Sequence, residues 1–448
     1  MSIARFIKKA SLPIEYTAFC ACFFYWFFYS LARRGGVPVF FGGVQVDSSL
    51  SAIIALAVLL FNAIFFSRLF LELATGANTF RAKLTTRLLG SLMPVSLVLF
   101  FIAFVTGGRF DYASYKLQWG LIVEGKDPWG LVDGGMINAY GYVHNFFAVL
   151  HSANSILPKL FFILLLVAFC WRSIVARSTR NRALVLFLSV NPFTVSTLAV
   201  YGFIDGVCSL LLGFALLELG CTNVRSYFKS GVFLAFSVLT KFYTIVALPL
   251  VLSVCSKQKP FKSIVSGYLL ASFVVITFSY GLWGDSILEP LLLAKGRDPS
   301  FLTIWKYVPH PELRTIIFSV VSVVAIIKAC TKKAISVSLR TAAVLSIVFG
   351  AYYLGHQQFY LGILVALTVY IVEECRDSGI LLRTPPLLLS FALVLGWLVF
   401  IQTGFELFDE FKPVGFQNLL PILSILNSII LVTAGCFWLS TKSTLRAE

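Results

Sequence analysis

Uninterrupted apolar runs, each long enough to cross a bilayer, recur along this chain and constrain it more than any other feature. In hydrocarbon every backbone N–H and C=O must be paired within its own segment, so such runs become α-helices. Only 12% of the residues are charged, against about 25% in a soluble chain. The expected fold class is an all-α polytopic membrane protein. Spanning helices are expected at 13–33, 49–68, 88–106, 157–175, 182–201 and 204–220, and again at 263–283, 314–329, 338–355, 358–374, 385–403 and 417–440. These make about twelve crossings of a core about 30 Å thick. Asn191-Pro192 lies inside one of them, and proline there removes a backbone bond and kinks the helix.

The segment Ser230–Ser253 carries Lys241 at its middle. As one full crossing it would place the basic tracts Lys257-Lys259-Lys262, Lys328-Lys332-Lys333-Arg340, Arg376-Arg383 and Lys442-Arg446 outside, against the positive-inside rule. A re-entrant hairpin avoids this. Each arm is then about 12 residues, or roughly 18 Å of helix, with Lys241 at the tip. The net charge of +16 then reads as cytoplasmic loop bias rather than as a nucleic-acid surface. Both termini are expected in the cytoplasm. The basic start and first apolar run, Thr17–Leu31, lack a small-residue cleavage site and read as a retained anchor. The nine cysteines sit in helices or at helix ends without metal-ligand spacing, so neither a disulfide framework nor a zinc site is expected.

The longest polar interval runs from Thr106 to Lys159 and faces the outer side in this topology. It holds four carboxylates and two of the four histidines. Asp111 follows the third helix and can serve as a general base toward a hydroxyl, or stand as a solvated aspartate beside Arg109. Gly125 and Pro128 mark a turn that Asp127 can cap. Tyr112, Tyr140, Tyr142 and His144 suit stacking on a sugar ring, and equally an interfacial aromatic belt. Tyr140, Tyr142 and His144 alternate, so they can share one face of an extended segment or the start of a helix. Asp205 sits at a tight turn between two helices, where capping is the plain alternative to ligand binding.

A lysine at bilayer depth is costly unless paired or wetted, which makes Lys241 a functional candidate. A second outer loop, 284–313, gathers Lys295, Arg297, Lys306 and His310, with Arg314 just beyond it. His356, Gln357 and Tyr360 lie in a third outer turn. No Walker-type loop, dinucleotide fingerprint, HExxH or nucleophile elbow is present. With short cytoplasmic loops, a sugar donor is expected to arrive through the membrane as a lipid.

Several of these landmarks fall in one order. Phe110-Asp111-x3-Tyr115, Gly125-x-Asp127-Pro128-Trp129 and Tyr140-x-Tyr142 come first. Asn191-Pro192, Gly202-x-x-Asp205, Thr240-Lys241-Phe242 with Pro249, and His356-Gln357-Gln358-Phe359-Tyr360 follow. This succession, across roughly residues 88 to 375, resembles the GT-C glycosyltransferases that use polyprenyl-phosphate sugars, the branch that includes many mannosyltransferases. Trp129 stands where that family usually has Tyr, and His144 where it often has Pro. Two helices precede the one before Asp111, whereas family members commonly place that loop after the first helix.

The resemblance implies a GT-C-like module at 88–375, an added helix pair at 1–87 and further helices at 376–448. It implies inverting transfer of a hexose, mannose or glucose, from a polyprenyl-phosphate carrier to a glycan or lipid-linked acceptor on the periplasmic or lumenal face. Asp111 would act as base, and Lys241, Arg314 and His356 would bind the donor phosphate. Arg109, Tyr112, Tyr140, Tyr142, His144, Asp205, Gln357 and Tyr360 would line the substrate site. No metal, other cofactor or nucleic acid is implied. The setting would be a bacterial inner membrane, or the endoplasmic reticulum. Two other classes fit a chain of this shape: an O-antigen-type polymerase or ligase using a lipid diphosphate, and a lipid or glycan transporter.

Overall fold

The computed structural model describes residues 48–77, 79–89, 91–106, 111–129, 140–175, 179–221, 223–253, 258–293, 302–308, 310–352, 356–377, 385–411 and 420–441. The expected first helix at 13–33 lies outside them, as do Arg109, Lys295 and Arg297. Among the described residues the structure is helical with no strands. In order, the helices are α1 (Ser48–Thr75), α2 (Phe80–Leu88), α3 (Leu92–Thr106), α4 (Asp111–Val123), α5 (Tyr142–Asn145), α6 (Phe147–Ala153), α7 (Leu157–Ile174), α8 (Thr179–Ser189), α9 (Pro192–Val195) and α10 (Ile204–Leu219). Then come α11 (Val224–Thr240), α12 (Ala247–Ser253), α13 (Gln258–Trp283), α14 (Glu289–Leu293), α15 (Pro311–Thr331), α16 (Val337–Ala351), α17 (Leu361–Asp377), α18 (Pro385–Phe411) and α19 (Leu420–Ser440). Among the described residues, five helical stretches are long and apolar enough to cross a membrane, or up to eight if each of three bent pairs counts as one span.

Helix α16 is buried along its whole length and α10 along nearly all of it, so these two form the centre. A helix that is apolar all round and lies inside a bundle needs no polar face. Outer faces are apolar too: Leu269, Phe273 and Phe278 on α13, and Val320, Val324 and Ile327 on α15, are exposed. Polar side chains stitch the interior. Ser67 Oγ donates to Ala392 O at 2.7 Å, tying α1 to α18. Asn427 donates to the Tyr360 hydroxyl at 2.8 Å, tying α19 to the turn before α17.

Pro192 breaks its span as expected, with α8 and the α9 continuation bent by 45°. Asn191 turns the break into a new helix start. Its side chain accepts from Thr194 N at 3.2 Å and donates to Leu188 O at 2.6 Å. The residues after α9, Ser196–Val200, then form a π turn.

Two expectations need correction. Among its described residues, the interval 107–156 is mostly helical rather than an open loop. Asp111–Val123 forms α4 because Tyr112, Tyr115 and Trp119 fall on one helical face and bury it completely. The segment around Lys241 does turn back, but with unequal arms. The outbound arm α11 has 17 residues, or about 25 Å. The return arm is the 3-10 turn Phe242–Val246 followed by α12.

The turn-back follows from packing. Helices α11 and α13 run parallel: Ser263 Oγ donates to Val224 O at their starts, and Leu239 meets Val275 near their far ends. Two parallel helices starting at one end require the chain between them to return. At the foot of the return arm, Arg340 Nη1 donates to Ser253 Oγ and to Ala329 O, both at 3.0 Å.

The α11–α13 crossing is close enough that Gly231 lies against Ile264 O and Gly267 against Phe228 O. Small residues let transmembrane backbones approach in this way. Gly231→Val should therefore cost about 1–3 kcal/mol, measured as a lower thermal midpoint of the purified protein in detergent. Gly281→Ala, where an added Cβ meets nothing within 4 Å, should not lower it.

Candidate active site

Asp111 is the first residue of α4, where helix N–H groups favour a carboxylate. It is half-buried. The Tyr140 hydroxyl donates to its Oδ2 at 3.3 Å, and Gln358 Nε2 donates to the same oxygen at 3.5 Å. Tyr140 reaches this place because Gly141 N donates to Thr240 O at 3.0 Å, docking the end of the long polar interval onto the hairpin tip. Gly141 sits directly on the Leu239 carbonyl, where a Cβ would collide with backbone.

Lys241 is the extended residue between α11 and the 3-10 turn, with φ −155° and ψ 122°. Leaving the helix there aims its side chain at the start of α10. Its Nζ lies 2.7 Å from Asp205 Oδ1. The ammonium also sits 4.9 Å from the Tyr140 ring centroid and 4.4 Å from that of Phe359. Aromatic faces stabilise a cation in a desolvated place. Asp205 is fully buried. It does not cap its helix, as the sequence had allowed, because its carboxylate is committed to Lys241.

Tyr140 is the hinge of the array. Its hydroxyl addresses Asp111, its ring face addresses Lys241, and its ring packs 4.9 Å from Tyr115 and 4.8 Å from His144. His144 is buried among Tyr115, Trp119 and Tyr140. Burial holds its imidazole down at about 3, the charge of Lys241 pushes the same way, and a contact with Asn145 opposes both. His144 is therefore a neutral packing ring and does not donate charge to the site.

A second lysine holds the frame. Lys159 is fully buried, and its Nζ donates to Thr106 Oγ1 at 2.8 Å and to Val200 O at 2.7 Å. Thr106 ends α3 shortly before Asp111, and Val200 ends the π turn shortly before Asp205. One ammonium thus braces the segments leading to both acids.

The other expected site residues divide. Gln357 is buried one position before Gln358, with its side-chain oxygen unpartnered. His356 packs 5.5 Å from Phe359, at the rim of the array. Tyr112 serves the frame: its hydroxyl donates to Ser155 O at 2.8 Å and accepts from Lys159 N. Tyr142 points away from Tyr140, donating to Ile287 O at 3.0 Å and packing on Trp129 and Phe242. The shared face expected for Tyr140, Tyr142 and His144 therefore breaks, because helix α5 begins at Tyr142 and restores a helical twist. Tyr360 is a core residue held by Asn427. Arg314 directs its guanidinium to Val308 O at 3.0 Å. Asp127 caps its turn through Trp129 N at 2.9 Å.

Gln358 and Phe359, seen in sequence only as part of a motif, join the array. Tyr115, four residues after Asp111, was visible only as part of a motif, since its packing role depends on α4 being a helix. No group of three or more His, Cys, Asp or Glu capable of holding a metal is gathered among the described residues. Comparison with family models, curated proteins and solved structures finds no match to this chain.

The burial of His144 has a pH signature. Below 6.5, the ordinary value, an unfolded His takes a proton that the folded one refuses until about 3. This contribution is nil above 6.5 and destabilises the fold progressively as pH falls through that window. His144→Phe should flatten the loss of thermal stability between pH 7.5 and 5 relative to wild type. An unchanged profile would remove the buried-neutral assignment.

Proposed function

We propose that the chain is a membrane glycosyltransferase that moves a hexose from a polyprenyl-phosphate carrier to an acceptor hydroxyl, with inversion. The observation that supports it is the meeting of Asp111 and Lys241 on the two sides of Tyr140. A base and a cation are needed at opposite ends of such a displacement. The twelve-crossing GT-C architecture, the outer-facing site and the cytoplasmic termini belong to the same proposal.

In this reading the acceptor O–H gives its proton to the Asp111 carboxylate as the oxygen attacks the anomeric carbon. The carbon–oxygen bond to phosphate breaks, and its electron pair leaves on the lipid phosphate. That group needs little acid help because it departs as a stable anion, unlike the alcohol leaving group of a glycosidase. Negative charge grows on the phosphate, and a fixed cation there lowers the barrier. An ammonium has three donors, so the Asp205 contact leaves Lys241 hydrogens for a phosphate oxygen. Asp205 holds Lys241 in place. His356, at the rim, is the nearest further candidate for the phosphate. Arg314 spends one Nη2 donor on Val308 O and keeps other N–H groups, so it stays a further candidate for the same role. Tyr140 and Phe359 form the aromatic floor, with Gln358 steering Asp111.

Purified protein given labelled mannosyl or glucosyl polyprenyl monophosphate should transfer the sugar to lipid-linked glycan acceptors. Asp111→Asn should lose about 10²–10⁴ of the rate, Lys241→Met should lose a comparable factor, and Tyr142→Phe should stay near wild type. Use of the diphosphate donor alone points to the polymerase or ligase class. Movement of lipid across vesicles without transfer points to a transporter. Either outcome, or full activity in Asp111→Asn, overturns the reading.

A further inference from the structure

A second site lies at the other end of the bundle. Asp205 begins α10, while Glu218 stands 13 residues on near its end, about 20 Å along the helix. Beside Glu218 opens a cavity of about 610 Å³ between α3, α7, α10 and α11. This lies within the roughly 300–1,000 Å³ typical of small-molecule pockets. Its depth is walled by Leu164 and Val167 of α7, Phe214 of α10 and Phe233 of α11. Its polar end carries Arg172, Glu218 and Lys229.

The charges at that end are unbalanced. Arg172 Nη2 lies 3.5 Å from Glu218 Oε1 and 3.4 Å from Cys221 Sγ, while its side chain remains 45% exposed. Lys229 is exposed and has no ion-pair partner among the described residues. Two cations and one carboxylate therefore stand at the mouth of an apolar cleft, and only Arg172 is paired with that carboxylate. Trp171 beside them is 60% exposed, and Leu164 further in is 51% exposed. An outward tryptophan next to basic side chains marks the depth at which headgroups meet acyl chains. The cleft opens sideways onto that level rather than into a soluble domain.

We propose that this groove binds an anionic glycerophospholipid, with its phosphate between Arg172 and Lys229 and one acyl chain along Leu164, Val167, Phe214 and Phe233. Apolar walls suit the chain, and the surplus positive charge selects against a zwitterionic headgroup. The lipid clamps α7 to α11 at the end opposite the acids. Helix α10, which carries Asp205 in its first turn, and helix α11, which ends just before Lys241, both line the groove, so occupancy stiffens the helices on either side of the ion pair. The site does not depend on the glycosyl-transfer reading.

The test uses delipidated full-length protein and matched-chain phosphatidylglycerol and phosphatidylcholine, with native mass spectrometry and thermal midpoints as readouts. Wild type should retain phosphatidylglycerol preferentially and be stabilised by it. Each of Arg172→Gln and Lys229→Gln should weaken that preference by about fivefold, and the double variant should abolish it. Ala168→Phe, which fills the cleft and keeps both cations, should lose both lipids; it stands in if the double variant does not fold. The proposal is overturned if wild type binds the two lipids equally or the double variant keeps the preference. It is also overturned if Ala168→Phe retains lipid as wild type does, or if inorganic phosphate alone reproduces the stabilisation.

Discussion

The ion pair between Lys241 and Asp205 organises the molecule around itself. A lysine at this position costs several kcal/mol unless it is paired or wet, and a fully buried aspartate is equally poor company for hydrocarbon. Each relieves the other at 2.7 Å. To meet, α11 must stop at Thr240, the chain must leave the helix in an extended residue, and α10 must begin at the same level. The unequal hairpin follows from that demand. The parallel packing of α11 on α13 is consistent with the same return, which brings the chain back to the end from which α11 set out. Pairs of this kind add little net stability, but breaking one is expensive, and they specify arrangement strongly.

The pair also explains why so many aromatic rings gather at one end of the bundle. Tyr140 and Phe359 cover the ammonium, Tyr115 and His144 back Tyr140, and Trp119 backs both of them. Flat, stiff side chains in edge and stacked contact make a wall that holds a hydroxyl and a charge in fixed relation. This wall helps to place Asp111, through the Tyr140 hydroxyl. Its two described hydrogen bonds are long, 3.3 and 3.5 Å, and both fall on one oxygen.

Lys159 does for the backbone what Lys241 does for the side chains. Its bonds to Thr106 and Val200 fix the ends of two helical segments, and its main-chain N–H meets the Tyr112 hydroxyl. The limits of the long polar interval, Thr106 and Lys159, are thereby joined to one another. An interval that looks open in sequence is closed at its base, and α4 and α6 fold back within it.

Much of this was legible beforehand, and the boundary has a physical cause. Apolar runs are local, so the all-helical, membrane-crossing character of the described chain, the break at Asn191-Pro192 and the return at Lys241 could be read from composition, proline chemistry and charge bias, whereas the number of crossings could not. The cost of burying Lys241 is also a property of one residue, which is why it stood out alone. What only the tertiary structure decided were partnerships: Asp205 as the counter-ion rather than a cap, Gln358 reaching Asp111 across 247 positions, and Tyr140 turning inward while Tyr142 turned away. Periodicity and propensity describe a segment's own preferences, whereas a side chain's partner is set by which helix packs beside it. Several acids and rings of equal promise lay in the same polar interval, and their types carried no information about which would converge.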